Sequence, residues 1–472
     1  MEYISTGSQV LDQTLGGGLP RGSLISVTGL PGTGKTIFAA NWIHDGMKNY
    51  DERAVYVSFV ENYETFIQNM ASLGFEFEKL EREGKFRFLE MITLKGEGVP
   101  TLIEQIMKEI SEIKPSRLVI DSFSAIGQMI GNRADLRIIT HMVLSKIVRK
   151  LGCTTMILIE KPTTSNENYE SVEFISDCII SLCKTEVNGA TFRQLNIIKA
   201  RGREIRTPTI AFTLKDGFRA FKPLTWGVLE EPPGKFKIIP HGEGYLSSGF
   251  PELENLTGPI LQEGSFNLLE VEKDVSLPSE RLLRVTVQNA LNQRVGVVIL
   301  PPQGISALAV KKSLEPFVEE RILERNLRVA DYRAMKTEKA EPYVVLLDGR
   351  FVIDDMKIIW DTIYELTKDT GRPALSIVGF DTLEYIYGKD EVLKILGADL
   401  AKVRNLKHVR LNVSRPNIAL TDHLKALADR HLVLRELCGA LFIQGIKPKT
   451  PLLNISISTE DNLAKVKLTP IL

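Results

Sequence analysis

Short runs of aliphatic and β-branched residues alternate with amphipathic stretches along the first half of the chain. The runs at 23–29, 54–59, 85–90, 117–121 and 154–160 are almost continuously apolar, which predicts strands that are buried on both faces. The stretches between them carry apolar residues at helical spacing and predict helices near 35–48, 63–73, 100–113 and 134–151. Strands of this kind, separated by helices, are typical of a parallel sheet covered on both sides.

The pattern changes after residue 175. Four more strand-like runs follow closely, with turn signals at Asn188–Gly189 and Asp216–Gly217, and they lie at 176–183, 190–199, 209–214 and 217–221. Short turns join antiparallel strands, because a parallel connection needs a long crossover. The sequence therefore predicts an α/β fold of the RecA-like layout, a parallel sheet flanked by helices with an antiparallel β extension.

The second half repeats the first. Residues 5–23 align without a gap with residues 247–265, a shift of 242 positions that pairs Leu11 with Leu253 and Asp12 with Glu254. Later segments continue in step, and the alignment of 117–123 with 376–383 places Asp381 opposite Asp121. We therefore predict two tandem RecA-like domains, at 1–225 and 245–472, joined by a Pro- and Gly-containing linker at 226–244.

Composition narrows the class of protein. The 472 residues include 59 Lys and Arg and 59 Asp and Glu, so the formal net charge is zero. Without an excess of basic residues, a main role in binding nucleic acid is less favoured. The four cysteines and six histidines lack the spacing of a metal site. No long apolar stretch predicts a membrane span, and the N-terminus has no signal-peptide pattern. We expect a cytoplasmic protein with no membrane association.

The strongest chemical signal is GLPGTGKT at 29–36, which fits the P-loop pattern G-x-x-x-x-G-K-[ST] between a predicted strand and a predicted helix. Its backbone N–H groups and the helix N-terminus are expected to hold the phosphates of ATP. Lys35 reaches the β and γ phosphates, while Thr36 and Asp121, at the end of a later strand, hold Mg²⁺. The predicted nucleotide-binding residues are Gly29, Leu30, Pro31, Gly32, Thr33, Gly34, Lys35, Thr36, Ile37 and Asp121.

The second domain has lost this motif. The shift of 242 places 271–278, with the sequence VEKDVSLP, opposite the P-loop. Leu277 stands opposite Lys35, Pro278 stands opposite Thr36, and Glu272 and Asp274 bring negative charge. Without glycines or the lysine we expect no ATP binding of the usual kind here. The second domain is predicted to be degenerate.

Residues 1–225 resemble the KaiC family of RecA-superfamily ATPases. The resemblance rests on residues 5–23, the P-loop, and the segments YVSFVEN, VIDSFSA and IKARG. It implies that a first Glu after the second strand deprotonates the attacking water, but Val60 stands at that position and Glu61 matches only the second Glu. We therefore expect slow Mg-ATP hydrolysis with Glu61 assisting.

The resemblance also implies an oligomer. Lys199 and Arg201 match a pair that family members place on the γ-phosphate of a neighbouring subunit, commonly within a hexameric ring. The function implied is a regulatory ATPase that signals its nucleotide state to a protein partner or to the second domain. Two alternatives remain: a RecA/RadA-like DNA-binding ATPase of recombination or repair, and an ATP-gated scaffold without turnover. Family-type phosphorylation sites have no clear match, so a circadian autokinase cycle is not implied.

Overall fold

The apolar strands of the first half form one large sheet, and those of the second half form another. The computed structural model describes residues 2–91, 99–125, 152–160, 170–223, 235–275, 279–332, 341–460 and 463–472. Contacts divide the chain into a first unit, Met1–Pro223 with Ile471–Leu472, and a second unit, Leu224–Pro470. The helix predicted at 134–151 lies outside the described residues. Among the helices inside them, none combines the length and the apolar composition needed to cross a bilayer.

The first unit alternates strands and helices up to β8 and is all β after it. The strands are β1 Tyr3–Ile4, β2 Leu19–Pro20, β3 Leu24–Gly29, β4 Ala54–Ser58, β5 Phe86–Glu90, β6 Arg117–Asp121, β7 Thr154–Glu160, β8 Cys178–Val187, β9 Ala190–Ala200, β10 Thr209–Thr213 and β11 Arg219–Ala220. The helices are α1 Gln9–Thr14, α2 Lys35–Asn49, α3 Tyr63–Ser72, α4 Phe77–Arg82, α5 Val99–Ile113 and α6 Glu170–Ile175.

Nine of these strands form one sheet in the order β11-β10-β9-β8-β3-β7-β6-β4-β5. The pairs from β8 through β3, β7, β6 and β4 to β5 are parallel, whereas β8 to β11 are antiparallel. The predicted fold class is confirmed. Because the parallel strands run the same way, their last residues share one side of the sheet, here called the carboxyl edge, and their first residues share the amino edge.

Strand β3 shows why the parallel strands read as apolar runs, since all six of its residues are buried. Helix α2 buries Phe38, Trp42, Ile43 and Met47 against one face of the sheet. An aromatic cluster of Tyr56, Phe66, Phe77, Phe86 and Phe88 packs on the same side. Burying each such side chain contributes roughly 1.5–3 kcal/mol. This core holds β3, β4 and α2, which carry the nucleotide-site residues, in fixed positions.

The second unit has the same layout with one further strand. Its strands are β12 Tyr245–Leu246, β13 Leu261–Gln262, β14 Phe266–Val271, β15 Val297–Leu300, β16 Leu327–Tyr332, β17 Val344–Leu347, β18 Leu375–Gly379, β19 Val409–Ser414, β20 Arg430–Leu437, β21 Ala440–Lys447, β22 Leu453–Glu460 and β23 Leu463–Pro470. Its helices are α7 Pro251–Thr257, α8 Ser279–Asn292, α9 Ala307–Leu314, α10 Glu320–Asn326, α11 Val352–Thr370, α12 Phe380–Tyr387, α13 Lys389–Asn405 and α14 Thr421–Leu427. The sheet order is β17-β16-β15-β18-β19-β14-β20-β21-β22-β23.

Strand order and hydrogen bonds repeat between the units. Read from β23, the second sheet matches the first strand for strand from β11 to β5, and β17 is the addition. Asp177 accepts the Leu24 N–H (3.1 Å) and donates its own N–H to Leu24 O (2.8 Å). Asp429 makes the same two bonds with Phe266 at 2.9 Å and 2.8 Å. The repeat seen in the sequence is therefore a repeat of the fold.

One predicted correspondence is wrong. The pairings β6–β7 and β18–β19 place Arg117 opposite Leu375, and so Gly379, not Asp381, occupies the position of Asp121. Asp381 lies in the first turn of α12, where its carboxylate accepts the Gln303 N–H (3.0 Å). Strand β6 ends at Asp121 and β18 ends at Gly379, two residues before Asp381. Matching the two aspartates by residue type therefore shifted the alignment by two residues.

Candidate nucleotide-binding site

The P-loop joins the carboxyl end of β3 to the first residue of α2. Helix α2 begins at Lys35 after Gly34, and no side chain caps it. The first N–H groups of a helix have no acceptor within the helix, and the helix dipole adds partial positive charge there. The arrangement therefore presents backbone donors to an anion at the carboxyl edge of the sheet.

The loop leaves no room for side chains at two of its glycines. Gly34 has φ +104°, and a Cβ on it would lie 2.8 Å from Leu214 Cδ1. A Cβ on Gly29 would lie 2.5 Å from the carbonyl oxygen of Leu182. Both distances are below van der Waals contact, so glycine is required for the loop to pack against β8 and the residue that follows β10.

Lys35 is folded back over the loop. Its Nζ donates to Gly29 O and Leu30 O, both at 3.0 Å, and the side chain is 7% exposed. Burial lowers the pKa of Lys35, and the negative charges of Glu160 and Asp121 offset part of that shift. An ammonium held by two carbonyls can transfer its hydrogen bonds to phosphate oxygens, which are better acceptors.

Arg193, on β9, is a loop-holding residue that the sequence did not indicate. Its Nη1 donates to Gly32 O (3.0 Å) and Thr33 O (3.3 Å) from a buried position. The residue lies about 160 positions from the loop along the chain. No local pattern could have identified it, because its role depends on how the antiparallel extension pairs with the parallel core.

Thr36 and Asp121 lie side by side. Thr36 Oγ1 donates to Asp121 Oδ2 at 2.9 Å, and the Tyr56 hydroxyl donates to the same oxygen at 2.6 Å. Burial raises the pKa of Asp121, while the two hydroxyls and the charge of Lys35 lower it. A hydroxyl and a carboxylate in contact are the hard oxygen ligands that Mg²⁺ prefers, and a cation would compensate the buried carboxylate. These residues fit a magnesium ion, and Tyr56 is a partner the sequence did not predict.

The turn after β4 fixes Glu61 near this edge. Ser58 Oγ donates to Glu61 O (2.7 Å) and accepts the Glu61 N–H (2.9 Å), which closes the turn. Asn69 Nδ2 donates to Glu61 Oε1 at 2.6 Å. Burial raises the pKa of Glu61, the bond from Asn69 lowers it, and the charge of Asp121 raises it further. Val60 stands at the position where the resemblance implies a first Glu. Its side chain is 62% exposed and has no group that can accept a proton.

Lys199 and Arg201 lie at the other side of the sheet. Strand β9 pairs with β8, and β8 pairs with β3, so Ala200 is level with Cys178 and Ile25 at the amino edge. Along β3, the four residue steps from Ile25 to Gly29 span about 13 Å, which separates the level of Ala200 from the start of the P-loop. Lys199 Nζ donates to Phe174 O (2.8 Å), and Arg201 pairs with Asp177 (3.1 Å). Within one chain these residues do not meet the P-loop.

Charged side-chain pairs line the corresponding place in the second unit, where the described residues border a cavity of about 590 Å³. Glu270, on β14, accepts from His431 Nε2 (2.9 Å) and Lys425 Nζ (3.0 Å), and Arg435 pairs with Glu272 (3.4 Å). Burial raises the pKa of Glu270, but the bonds from His431 and Lys425 outweigh it and hold the pKa below its ordinary value. Leu277 and Pro278, predicted opposite Lys35 and Thr36, lie outside the described residues.

Known proteins that match this chain include members of the KaiC family. Residues 4–220 match the family model described as "ATPase: KaiC". The circadian clock oscillator protein KaiC of Picosynechococcus sp. is 31% identical over 232 residues, 48% of this chain and 45% of that protein. The circadian clock protein KaiC2 of Synechocystis sp. is 27% identical over 264 residues, 54% of this chain and 44% of that protein. The matched part thus spans less than half the length of these curated relatives.

A solved structure also matches part of the chain. It is the crystal structure of a KaiC-like protein from Pyrococcus horikoshii OT3, whose sequence is 30% identical to this chain. The comparison of the two structures gives a TM-score of 0.43. The match covers 47% of this chain and 99% of that protein.

Proposed function

This chain belongs, through its first unit, to the KaiC-like proteins of the RecA superfamily, and on that premise we propose that the unit binds Mg-ATP at residues 29–36 and hydrolyses it slowly. The observation that best supports the proposal is the 2.9 Å contact between Thr36 and Asp121 beside the uncapped N-terminus of α2. It places a pair of magnesium ligands next to backbone donors that suit phosphates.

Each residue has a stated role in this proposal. The backbone of residues 29–36 and the N-terminus of α2 bind the phosphate oxygens, and Lys35 neutralises charge on the β and γ phosphates. Thr36 and Asp121 would hold Mg²⁺, which would offset the negative charge of the phosphates. Tyr56 orients the Asp121 carboxylate through its 2.6 Å hydrogen bond. Arg193 keeps Gly32 and Thr33 in place by donating to their carbonyl oxygens.

Glu61 is the proposed base that accepts a proton from the attacking water. Its raised pKa makes the carboxylate a somewhat stronger base than an ordinary Glu, and Asn69 restrains its orientation. Val60, at the preceding position, has no group that can accept a proton. One restrained carboxylate in place of the usual pair gives slow turnover.

Steady-state Mg-ATP hydrolysis by the full-length protein tests this. We expect Glu61→Gln to lower turnover by about tenfold or more, and Val60→Glu to raise it by a similar factor, since general-base help is worth typically about 10²–10⁴. Glu64→Gln, at an exposed position of α3, is the matched control. Turnover should fall with decreasing pH, and because the pKa of Glu61 is raised, the fall should begin at a higher pH than for an ordinary Glu.

Two results would contradict the role of Glu61. Equal turnover by wild type and Glu61→Gln would remove it from the mechanism. Tight ATP binding with no turnover in the wild type or in Val60→Glu would favour the non-hydrolysing, ATP-gated scaffold.

We further propose that the protein acts as a homo-oligomer, a hexameric ring in the simplest case, in which Lys199 and Arg201 of one subunit reach the γ-phosphate on its neighbour. The distance of about 13 Å along β3 between the level of these residues and their own P-loop supports a role between subunits. The nucleotide state would then be signalled to a regulatory protein partner or to the second unit.

Mixing two impaired variants tests action between subunits. Arg201→Ala should lower turnover by about tenfold or more while leaving ATP affinity almost unchanged, because the residue stabilises transferring charge. A mixture of Arg201→Ala and Lys35→Ala should regain activity above either alone, since some interfaces then combine an intact P-loop with an intact Arg201. Arg82→Ala, at an exposed site on α4, is the control. A full effect of Arg201→Ala in a strictly monomeric preparation would exclude the proposed role.

A further inference from the structure

The first unit has a polar cavity at the amino edge of its sheet, away from the P-loop. Its volume is about 430 Å³, and it lies where β4 and β6 begin. Four cations line it: Arg21, Arg53, Lys114 and Arg117. A pocket of this volume falls in the range of small-molecule sites.

The base of this cavity contains a buried ion pair. Arg117 is 1% exposed, and its Nε donates to Glu52 Oε2 at 2.5 Å. Its Nη1 donates to Ser5 O (3.0 Å) and Trp42 O (2.6 Å). The remaining nitrogen, Nη2, is buried and has no hydrogen-bond partner among the described residues. Such a donor is rare in folded proteins and points to a missing acceptor.

The chain makes room for this pair at a cost to helix α2. Gly46 lies inside α2, and a Cβ on it would be 2.2 Å from Arg117 Nε and 2.7 Å from Glu52 Oε2. Glycine inside a helix is less favourable than alanine. Gly46 thus leaves space for the Arg117 guanidinium, although glycine lowers the stability of the helix.

The second unit shows that the fold does not need these charges. The Arg117 N–H donates to Arg53 O (3.3 Å), and at the equivalent place the Leu375 N–H donates to Gly296 O (2.9 Å). Arg117, Arg53 and Glu52 therefore correspond to Leu375, Gly296 and Val295. Val295 and Leu375 are fully buried. In the second unit Val295 and Leu375 occupy this position. In the first unit the ion pair of Glu52 and Arg117 occupies it and borders the cavity.

The charges around the cavity favour an anion. The four cations face two carboxylates, Asp51 and Glu52, and Asp51 is also paired with Lys85 (2.8 Å). Glu52 is shared by Arg117 and Arg21 (3.0 Å to Arg21). Arg53 Nη1 donates to Ile113 O (3.3 Å), which satisfies one carbonyl at the end of α5. Arg21 is also paired with Glu2 (3.1 Å), which does not line the cavity. Among the lining residues a net positive charge of about two remains for a ligand.

We infer that this cavity binds a multiply charged phosphate compound of up to nucleotide size. Arginine forks match phosphate oxygens in geometry and charge. Arg53 and Lys114 lie at the exposed mouth of the cavity, and the buried Arg117 guanidinium, whose Nη2 has no hydrogen-bond partner among the described residues, lies at its base. The exposed ring of Tyr50 at the rim can stack on an aromatic base, so the phosphate donor is either a nucleotide or a free phosphate species.

Equilibrium dialysis of labelled pyrophosphate against full-length Lys35→Ala protein tests the inference, since that background weakens the P-loop. Adding Arg53→Ala and Lys114→Gly should weaken binding by about tenfold or more for each cation lost. Glycine suits position 114, where φ is +52°. The matched control adds Arg82→Ala and Lys108→Ala, two exposed cations elsewhere in the unit, and should bind as the Lys35→Ala protein does. Circular dichroism melting verifies that all variants fold.

AMP in the same experiment identifies the phosphate source. Tighter binding of AMP than of pyrophosphate indicates a nucleotide ligand, and tighter binding of pyrophosphate indicates a free phosphate species. Lys114→Glu in the Lys35→Ala background, with Arg53 kept, should show most of the loss even if the combined variant is unstable, because Lys114 is exposed. The inference is overturned if the Lys35→Ala protein binds neither compound at millimolar concentration, or if the cavity variants bind as tightly as the control.

Discussion

Lys35→Ala will weaken ATP binding by about a hundredfold or more and abolish turnover above background, while the protein stays folded. The affinity falls because an ammonium donating to charged oxygens contributes roughly 1.5–3 kcal/mol per bond, and Lys35 can make two such bonds to phosphates. Stability is preserved because burial lowers the pKa of Lys35, which means that folding disfavours its charged form. Isothermal titration with Mg-ATP and the urea midpoint measure the two quantities.

The matched control is Lys48→Ala, which removes an exposed lysine from the same helix. It should leave both ATP affinity and turnover unchanged. Unchanged affinity in Lys35→Ala would contradict the P-loop assignment. A large drop in the urea midpoint would instead mean that the bonds to Gly29 O and Leu30 O hold the loop together, and that the lost affinity is a structural effect.

Arg117→Leu will destabilise the first unit by about 3–5 kcal/mol, because it leaves the Glu52 carboxylate buried without its partner. Glu52 keeps only Arg21, whose side chain is about one third exposed, on its other oxygen. Ser5 O and Trp42 O also lose their donor. The free energy of unfolding of the first-unit transition, from urea denaturation, measures the loss.

The double variant Glu52→Val with Arg117→Leu should recover most of that loss, because it installs the pair found at Val295 and Leu375 in the second unit. Replacing a whole buried ion pair by apolar residues is often neutral, whereas breaking it is not. Arg53→Ala, at the exposed mouth of the same cavity, is the control and should change stability little. Equal losses in the single and double variants would show that the local packing, and not the unpaired charge, sets the cost.

The P-loop could be found from the sequence because its chemistry is local. Glycines, lysine and threonine lie within eight consecutive residues, and the flanking apolar periodicity predicted the strand and the helix that frame them. The repeat of 242 residues was also readable, because residues such as Asp12 and Glu254, whose carboxylates bond the segment before their own helix, keep their spacing. In both places the Ser5 and Ser247 hydroxyls bond these carboxylates.

Residues that act from a distance could not be found in this way. Tyr56 and Arg193 reach the site from β4 and β9 and bond it directly. Tyr56 begins the segment YVSFVEN, but nothing in the sequence assigned either side chain a contact with the site. The position of Asp381 was predicted wrongly because two aspartates after apolar runs look alike in sequence, while the strand pairings place Gly379 at the position of Asp121. Register is set by the pairing of whole strands, so a letter-by-letter alignment cannot decide it.

The sequence by itself determined the α/β class, the tandem repeat, the P-loop and the loss of that motif in the second half. These follow from local periodicity and from residue types whose conformational and chemical properties act within a few positions. Only the tertiary structure decided that Lys199 and Arg201 lie at the opposite edge from their own P-loop, and that Arg117 and Glu52 meet at the base of a cavity. The partners in these contacts are far apart in the chain, and strand order, strand direction and register together determine which of them meet.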